Sequence, residues 1–251
     1  MSEGDKRSGS VRSVERAFGV LEMLALGGNP MSLSELAAQS DLPLPTIHRL
    51  TRTLVDLGYV RQETSRRYSL GPRVLLLADG PSKVLNTIAQ PHLSKLVDEV
   101  GETANLAMLD GDEIVYIAQI PSRHSMRMFT EVGRRVLPHS TAVGKAIMST
   151  MTEASVRDAL RRTGMPQHTP HTITDPDDFV RALAWSSEHG YAIDDGEQEI
   201  GVRCVAVCVT GVTRKLALSV SGPTARMDED AVARAVPALA KAGRELAADL
   251  V

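Results

Sequence analysis

The sequence predicts an α+β chain of two domains, a small helical unit ending in a basic β-hairpin and a larger mixed α/β unit with helices on a sheet. Three observations carry this. Apolar residues recur every three or four positions through three short N-terminal segments. Strand-like runs alternate with helical patterns in the second part. Positive charge collects between Pro43 and Leu70, although the chain as a whole carries 28 basic against 31 acidic residues and a net charge of -3. A chain of 251 residues has room for two modest cores. The expected boundaries are 1–10 for a disordered polar arm, 11–70 for the helical unit with its hairpin, 71–82 for a linker helix and 83–251 for the larger unit.

In the first unit, Val14, Ala17, Phe18, Leu21, Leu24 and Ala25 describe an amphipathic helix that GGNP ends. Ser32, with Glu35 three positions on, is a capping-box pattern that starts a short helix, LSELAAQ. Asp41 to Pro43 makes a turn. Leu44 precedes a proline and is expected outside the helix, so a third helix begins at Pro45. Its buried stripe is Ile47, Leu50, Leu54 and Leu57, and Gly58 stops it. The opposite side carries Pro45, Arg49, Arg52 and Asp56, flanked by Thr46, His48 and Thr53. YVRQE and RYSLG then read as the strands of a hairpin turned by TSRR.

Three helices and a hairpin in this order make a winged helix-turn-helix. The third helix of such a unit enters the DNA major groove, and a basic hairpin tip lies over the backbone or minor groove. Pro45, Thr46, His48, Arg49 and Arg52 are the candidate DNA contacts of the helix, and Arg66 and Arg67 those of the wing. The plain alternative is a solvated charged face.

In the second unit, a helix from about Val84 to Val100 precedes TANLAML and EIVYIAQI, two strands joined by DGD, and MRMFTEV is a candidate third strand. Helical patterns follow at Thr141–Thr150, Glu153–Arg162 and Asp177–His189, strands at VRCVAVCV and KLALSVSG, and a closing helix at Asp228–Leu250. PHSTAVGKA runs from an extended approach into a helix start, where unpaired amides can hold an anion.

No run of eighteen apolar residues suggests a membrane span, and MSEGDKRSGS lacks the apolar core of a signal peptide. Two cysteines, Cys204 and Cys208, are too few for a disulfide framework, and a reducing cytoplasm is the expected location.

SVERAFGVLEML, LSELAAQSDLPLPTIHRLTRTLVDLGYV and RRYSLGPRVLLLA resemble the N-terminal domain of the IclR family of bacterial transcription regulators. RVLPHSTAVGKAIMS, GYAIDDGEQEIGVRCVAV and LALSVSGP continue the resemblance in family order, from about Val11 almost to the C-terminus. The resemblance implies a GAF-like or PAS-like effector domain and dimers or dimers of dimers, with RVLLLAD as a short linker and part of the dimer surface. It also implies a pocket in which the amides of Ala142 and Val143 receive a small carboxylate and which Asp194 and Cys204 line. Many relatives have a smaller residue than Val143 there. Ser219 and Ser221 alternate along the last strand and can complete a polar wall, with Met126, Met128, Leu137 and Val202 as candidate apolar walls.

The expected function is therefore a DNA-binding transcription regulator, a repressor, whose operator binding is controlled by a small organic acid. PSRHSMRMFTEVGRRV is most similar to family members associated with allantoin and glyoxylate metabolism, and aromatic-acid catabolism is the alternative. Plain readings stand beside these: Ser140 or Thr141 as a helix cap, Asp194 as a turn residue, Cys204 as small core. An enzyme with Cys204 as nucleophile and His139 as base has no local cue for a depressed thiol pKa. AVGKA lacks the first glycine of a phosphate loop and has Ala146 where a magnesium-binding hydroxyl belongs. HTPH offers His168 and His171 without a third ligand. No catalytic residue, metal or cofactor is expected.

Overall fold

The computed structural model describes residues 11–78, 81–128 and 130–250. The expected disordered arm, 1–10, lies outside them. The chain divides into two compact units, residues 1–80 and 81–251.

In the first unit, α1 (Arg12–Leu26), α2 (Leu33–Ser40) and α3 (Leu44–Asp56) surround a core of Val20, Leu24, Leu36, Ile47 and Leu54. The capping box at α2 forms: Ser32 Oγ accepts from the Glu35 amide at 3.3 Å, and Glu35 accepts from the Ser32 amide at 2.7 Å. Contrary to expectation, Leu44 is helical. Pro43 is the cap, and Leu44 takes the first helical position with Pro45 behind it. The residue before a proline is biased against helical angles, and here the first turn overrides that bias. Gly58, at φ 79°, ends the segment in a left-handed conformation that favours glycine. The hairpin is β1 (Val60–Gln62) paired antiparallel with β2 (Tyr68–Leu70). Of the segment expected as a linker helix over 71–82, α4 (Val74–Ala78) and the start of α5 (Pro81–Val100) are helical among the described residues. On α4, Leu75, Leu76 and Leu77 are exposed.

The second unit is built on one antiparallel sheet. Its strands are β3 (Thr103–Asp110), β4 (Glu113–Ile120), β5 (Arg135–Val136), β6 (Ala192–Asp195), β7 (Val202–Val209) and β8 (Leu216–Pro223), in the order β5-β4-β3-β8-β7-β6. β8, last in sequence, lies between β3 and β7. Two long helices, α5 (Pro81–Val100) and α9 (Glu229–Asp249), cover one face. A 3-10 turn (Pro138–Ser140) and α6 (Ala142–Met148) lie on the other, with α7 (Glu153–Thr163) and α8 (Pro176–His189) beyond.

Alternation along the strands assigns the faces. Val205, Val207 and Val209 of β7 and Leu216, Leu218 and Val220 of β8 pack with α5 and α9. The intervening Cys204 and Ala206, and Ala217, belong to the α6 side.

Three expectations are corrected. MRMFTEV is not a strand: Met126–Met128 and Thr130–Val132 are irregular, Phe129 is outside the described residues, and the strand beside β4 is Arg135–Val136. A run containing Thr, Phe and Val reads as β on propensity, but the ladder partner decides. The approach to α6 is a 3-10 turn at Pro138–Ser140, and only Leu137 and Thr141 are extended. The expected strands also lack Ala192–Asp195, which is the edge strand β6, held by register with β7 (Asp194 opposite Cys204).

Candidate functional sites: a polar helix face and a buried pocket

On α3, His48, Arg49 and Arg52 are exposed beside exposed Pro45 and half-buried Thr46. None of the three basic side chains has a hydrogen bond or ion pair among the described residues, so all remain available to an external anion. The two wing arginines differ. Arg66 is exposed at the turn, where its φ of 60° places it in the left-handed region. Arg67 is spent inside the unit: its Nε donates to the Pro30 carbonyl at 2.6 Å and its Nη2 to Glu35 at 2.7 Å. The Glu35 carboxyl is held down to about 2, first by the Ser32 amide and then by Arg67. Arg67 thus fastens the wing to the start of α2.

In the second unit, all six predicted effector residues, Ala142, Val143, Asp194, Cys204, Ser219 and Ser221, line one pocket. They come from four separate segments, which the sheet brings together. Ala142 and Val143 open α6, whose cap is Thr141: its hydroxyl accepts from the Gly144 amide at 3.2 Å. The amides of Ala142 and Val143 are the first two of the helix and have no backbone acceptor among the described residues. Gly144 is required by packing, because a Cβ there would stand 2.3 Å from the Pro138 carbonyl oxygen.

Ser219 and Ser221 sit on one face of β8, and the Asn105 amide nitrogen reaches both, at 3.3 and 3.4 Å, while Gln119 donates to the Asn105 oxygen at 3.0 Å. Asp194 is buried on β6 and accepts from the amides of Glu197, at 2.8 Å, and Gln198, at 3.4 Å. Burial first, and then the neighbouring Glu197 charge, raise its carboxyl to about 7. Near neutrality it can both donate and accept. Behind it, buried Lys145 of α6 donates to the Ile193 carbonyl at 2.5 Å and pairs with the Glu197 carboxylate. Burial and the Asp194 charge push the Cys204 thiol up, which opposes a thiolate nucleophile. His139 does not face it as a base. Its Nε2 lies 3.0 Å from the Pro166 carbonyl, and its ring stacks on His168 at 5.8 Å.

Of the expected apolar walls, Met128 and Val202 line the pocket. Met126 is 69% exposed, and Leu137 lies outside the lining. Sequence reasoning missed Tyr116, Asn105, Gln198 and Arg134. Two of these carried a signal: Asn105 is a lone amide in an apolar strand, and Tyr116 shares the β4 face of Ile114.

Comparisons agree over both units. Residues 13–64 match the model of the IclR helix-turn-helix domain, and residues 82–248 the model of the bacterial transcriptional regulator IclR C-terminal domain. The transcriptional repressor IclR of Escherichia coli K12 is 33% identical over 246 residues, covering 95% of this chain and 90% of its own. The HTH-type transcriptional repressor AllR of the same organism is 30% identical over 224 residues, covering 87% and 83%. The crystal structure of the Thermotoga maritima IclR superposes with a TM-score of 0.79 at 27% identity, over 95% of this chain and 98% of that one.

Proposed function

Since the chain belongs to the IclR family, and is therefore a DNA-binding transcription regulator and not an enzyme, we propose that it is a repressor released or tightened on its operator by a small organic acid held in the α6 pocket. The observation that carries the reading is the convergence of Ala142, Val143, Asp194, Cys204, Ser219 and Ser221 on one cavity. Free amides, hydroxyls and a carboxyl near neutrality suit a small oxo or hydroxy acid. That polarity favours such an acid over an aromatic one. Similarity to AllR, 30% against 33% for IclR, does not single out an allantoin or glyoxylate branch. Repression is the reading that both repressor relatives support.

On the DNA side, Pro45, Thr46, His48, Arg49 and Arg52 read the major groove, Arg66 touches the backbone, and Arg67 acts by holding the wing. One such unit offers few base contacts, so two half-sites read by a dimer are expected. The exposed leucines of α4, with Phe18 and Val14 of α1, supply an apolar surface for self-association. Control requires the acid to bind the DNA-competent and incompetent arrangements with different affinity.

The test is binding of the purified chain to its own upstream DNA at fixed salt, with and without glyoxylate, allantoin and an aromatic acid. Arg49→Ala is expected to weaken specific binding about tenfold or more, as loss of one bidentate base contact does. Equal, weak binding by both proteins, unmoved by any compound, would refute the reading.

A further inference from the structure

We infer that Arg134, with the Tyr116 phenol beside it, forms a second anion subsite in the pocket wall, so that the preferred effector is a diacid and not a monoacid. The inference rests on the α6 pocket being the effector site.

Backbone geometry fixes where Arg134 points. The Tyr116 amide donates to the Arg134 carbonyl at 3.1 Å and the Gly133 amide to the Tyr116 carbonyl at 2.7 Å, which clamps the segment to β4. The short strand that follows pairs Val115 with Arg135 and Ile114 with Val136. Side chains therefore alternate: Arg134 and Val136 line the pocket together with Tyr116, whereas Arg135 turns to the other side.

The two arginines are also used differently. Arg135 is saturated, its Nε on Glu113 at 2.6 Å and its Nη1 on Asp110 at 2.8 Å. The Arg134 guanidinium has no acceptor among the described residues, and neither has the Tyr116 hydroxyl. Burial, and then the Cys204 and Asp194 charges, push the Tyr116 phenol up, and the Arg134 charge opposes them. A guanidinium fork and a phenol donor on one wall match the two oxygens of a carboxylate. Two carboxylates share the cavity. Asp194 lies on β6, and Glu199 stands exposed in the lining without an ion pair to Arg134. On the same sheet face, two strands from β4, Ser219 and Ser221 of β8 offer hydroxyls already oriented by Asn105. A ligand acidic at both ends engages both places.

The experiment is calorimetric titration of the full chain with matched pairs, malate against lactate and succinate against butyrate, each acid differing from its partner by one carboxylate or its equivalent. Wild type is expected to bind the diacid about tenfold or more tightly, one charge-assisted contact being worth that factor. Arg134→Gln should collapse the gap by lowering diacid affinity, and Tyr116→Phe should narrow it. Arg135→Gln makes the same charge change on the opposite face and should leave the gap intact. Equal affinity for mono- and diacids in wild type, a gap that survives Arg134→Gln, or a gap lost equally in Arg135→Gln each overturns the subsite while leaving an acid-binding pocket in place. Failure of wild type to bind any of the four acids overturns the subsite and the pocket reading together.

Discussion

The two faces of the six-stranded sheet share the same backbone and serve opposite ends. Toward α5 and α9, β7 and β8 present Val205, Val207, Val209, Leu216, Leu218 and Val220, large side chains in a dry core. Toward α6 the same strands present Cys204, Ala206, Ala217, Ser219 and Ser221, small residues that leave room for a cavity and hydroxyls to line it. Stability is concentrated on one face, and the other is free to be hollow and polar because its neighbour supplies the apolar burial. Period-two alternation makes this division possible without any extra element.

The largest departure from that division is the buried Lys145–Glu197 pair on the hollow face, where one Glu197 oxygen has no hydrogen-bond partner among the described residues. Lys145→Met should cost about 3–5 kcal/mol in urea unfolding, since it strands a buried carboxylate, and Glu197→Gln in the same chain should restore part of it. A loss below about 1 kcal/mol would show that the polar face carries no such stress. Next in size is Leu218→Ala on the dry face, expected to cost about 3 kcal/mol through lost burial and a cavity, with acid binding far less affected than stability.

Asp194→Asn sharpens the contrast through pH. The folded carboxyl titrates near 7 against an ordinary value of 3.8, so the native state keeps a proton that the unfolded chain releases. Stability from this group therefore falls as pH rises from about 4 to about 7 and is level above, by on the order of a few kcal/mol. The Asn variant, whose oxygen still accepts from Glu197, should lose that slope in melting curves taken from pH 4 to 8. An unchanged slope would assign the pH dependence to other groups. The smallest effect is expected for Ser221→Ala: about 1 kcal/mol or less in stability, but a measurable loss of acid affinity by calorimetry.

What the sequence discloses differs between the two units. In the first, cap, turn, stripe and polar face are local signals, and Ser32, Gly58 and Ile47 each reveal a role within a few residues. Arg67 does not, because its partners Pro30 and Glu35 are brought to it by the hairpin's fold. In the second unit the strands and helices are legible from periodicity, but the cavity is assembled from segments far apart in the chain. Family resemblance pointed to Ala142, Val143, Asp194 and Cys204 and strand alternation to Ser219 and Ser221, whereas Asn105, Tyr116 and Arg134 needed the register of β3, β4 and β5 to be placed. Met126–Met128 and Thr130–Val132 show the limit of propensity: β-like residues stay irregular where the sheet's next partner is Arg135–Val136.

The position of β8 between β3 and β7 has a consequence for the newborn chain. The first unit holds all its core residues by Leu70, while β3 waits for Ser221 and Ser219 to arrive before it gains its second neighbour. At a synthesis rate of about 5–20 residues per second, that interval is roughly eight to thirty seconds. A ribosome translating this regulator therefore displays the DNA reader before the metabolite sensor can close.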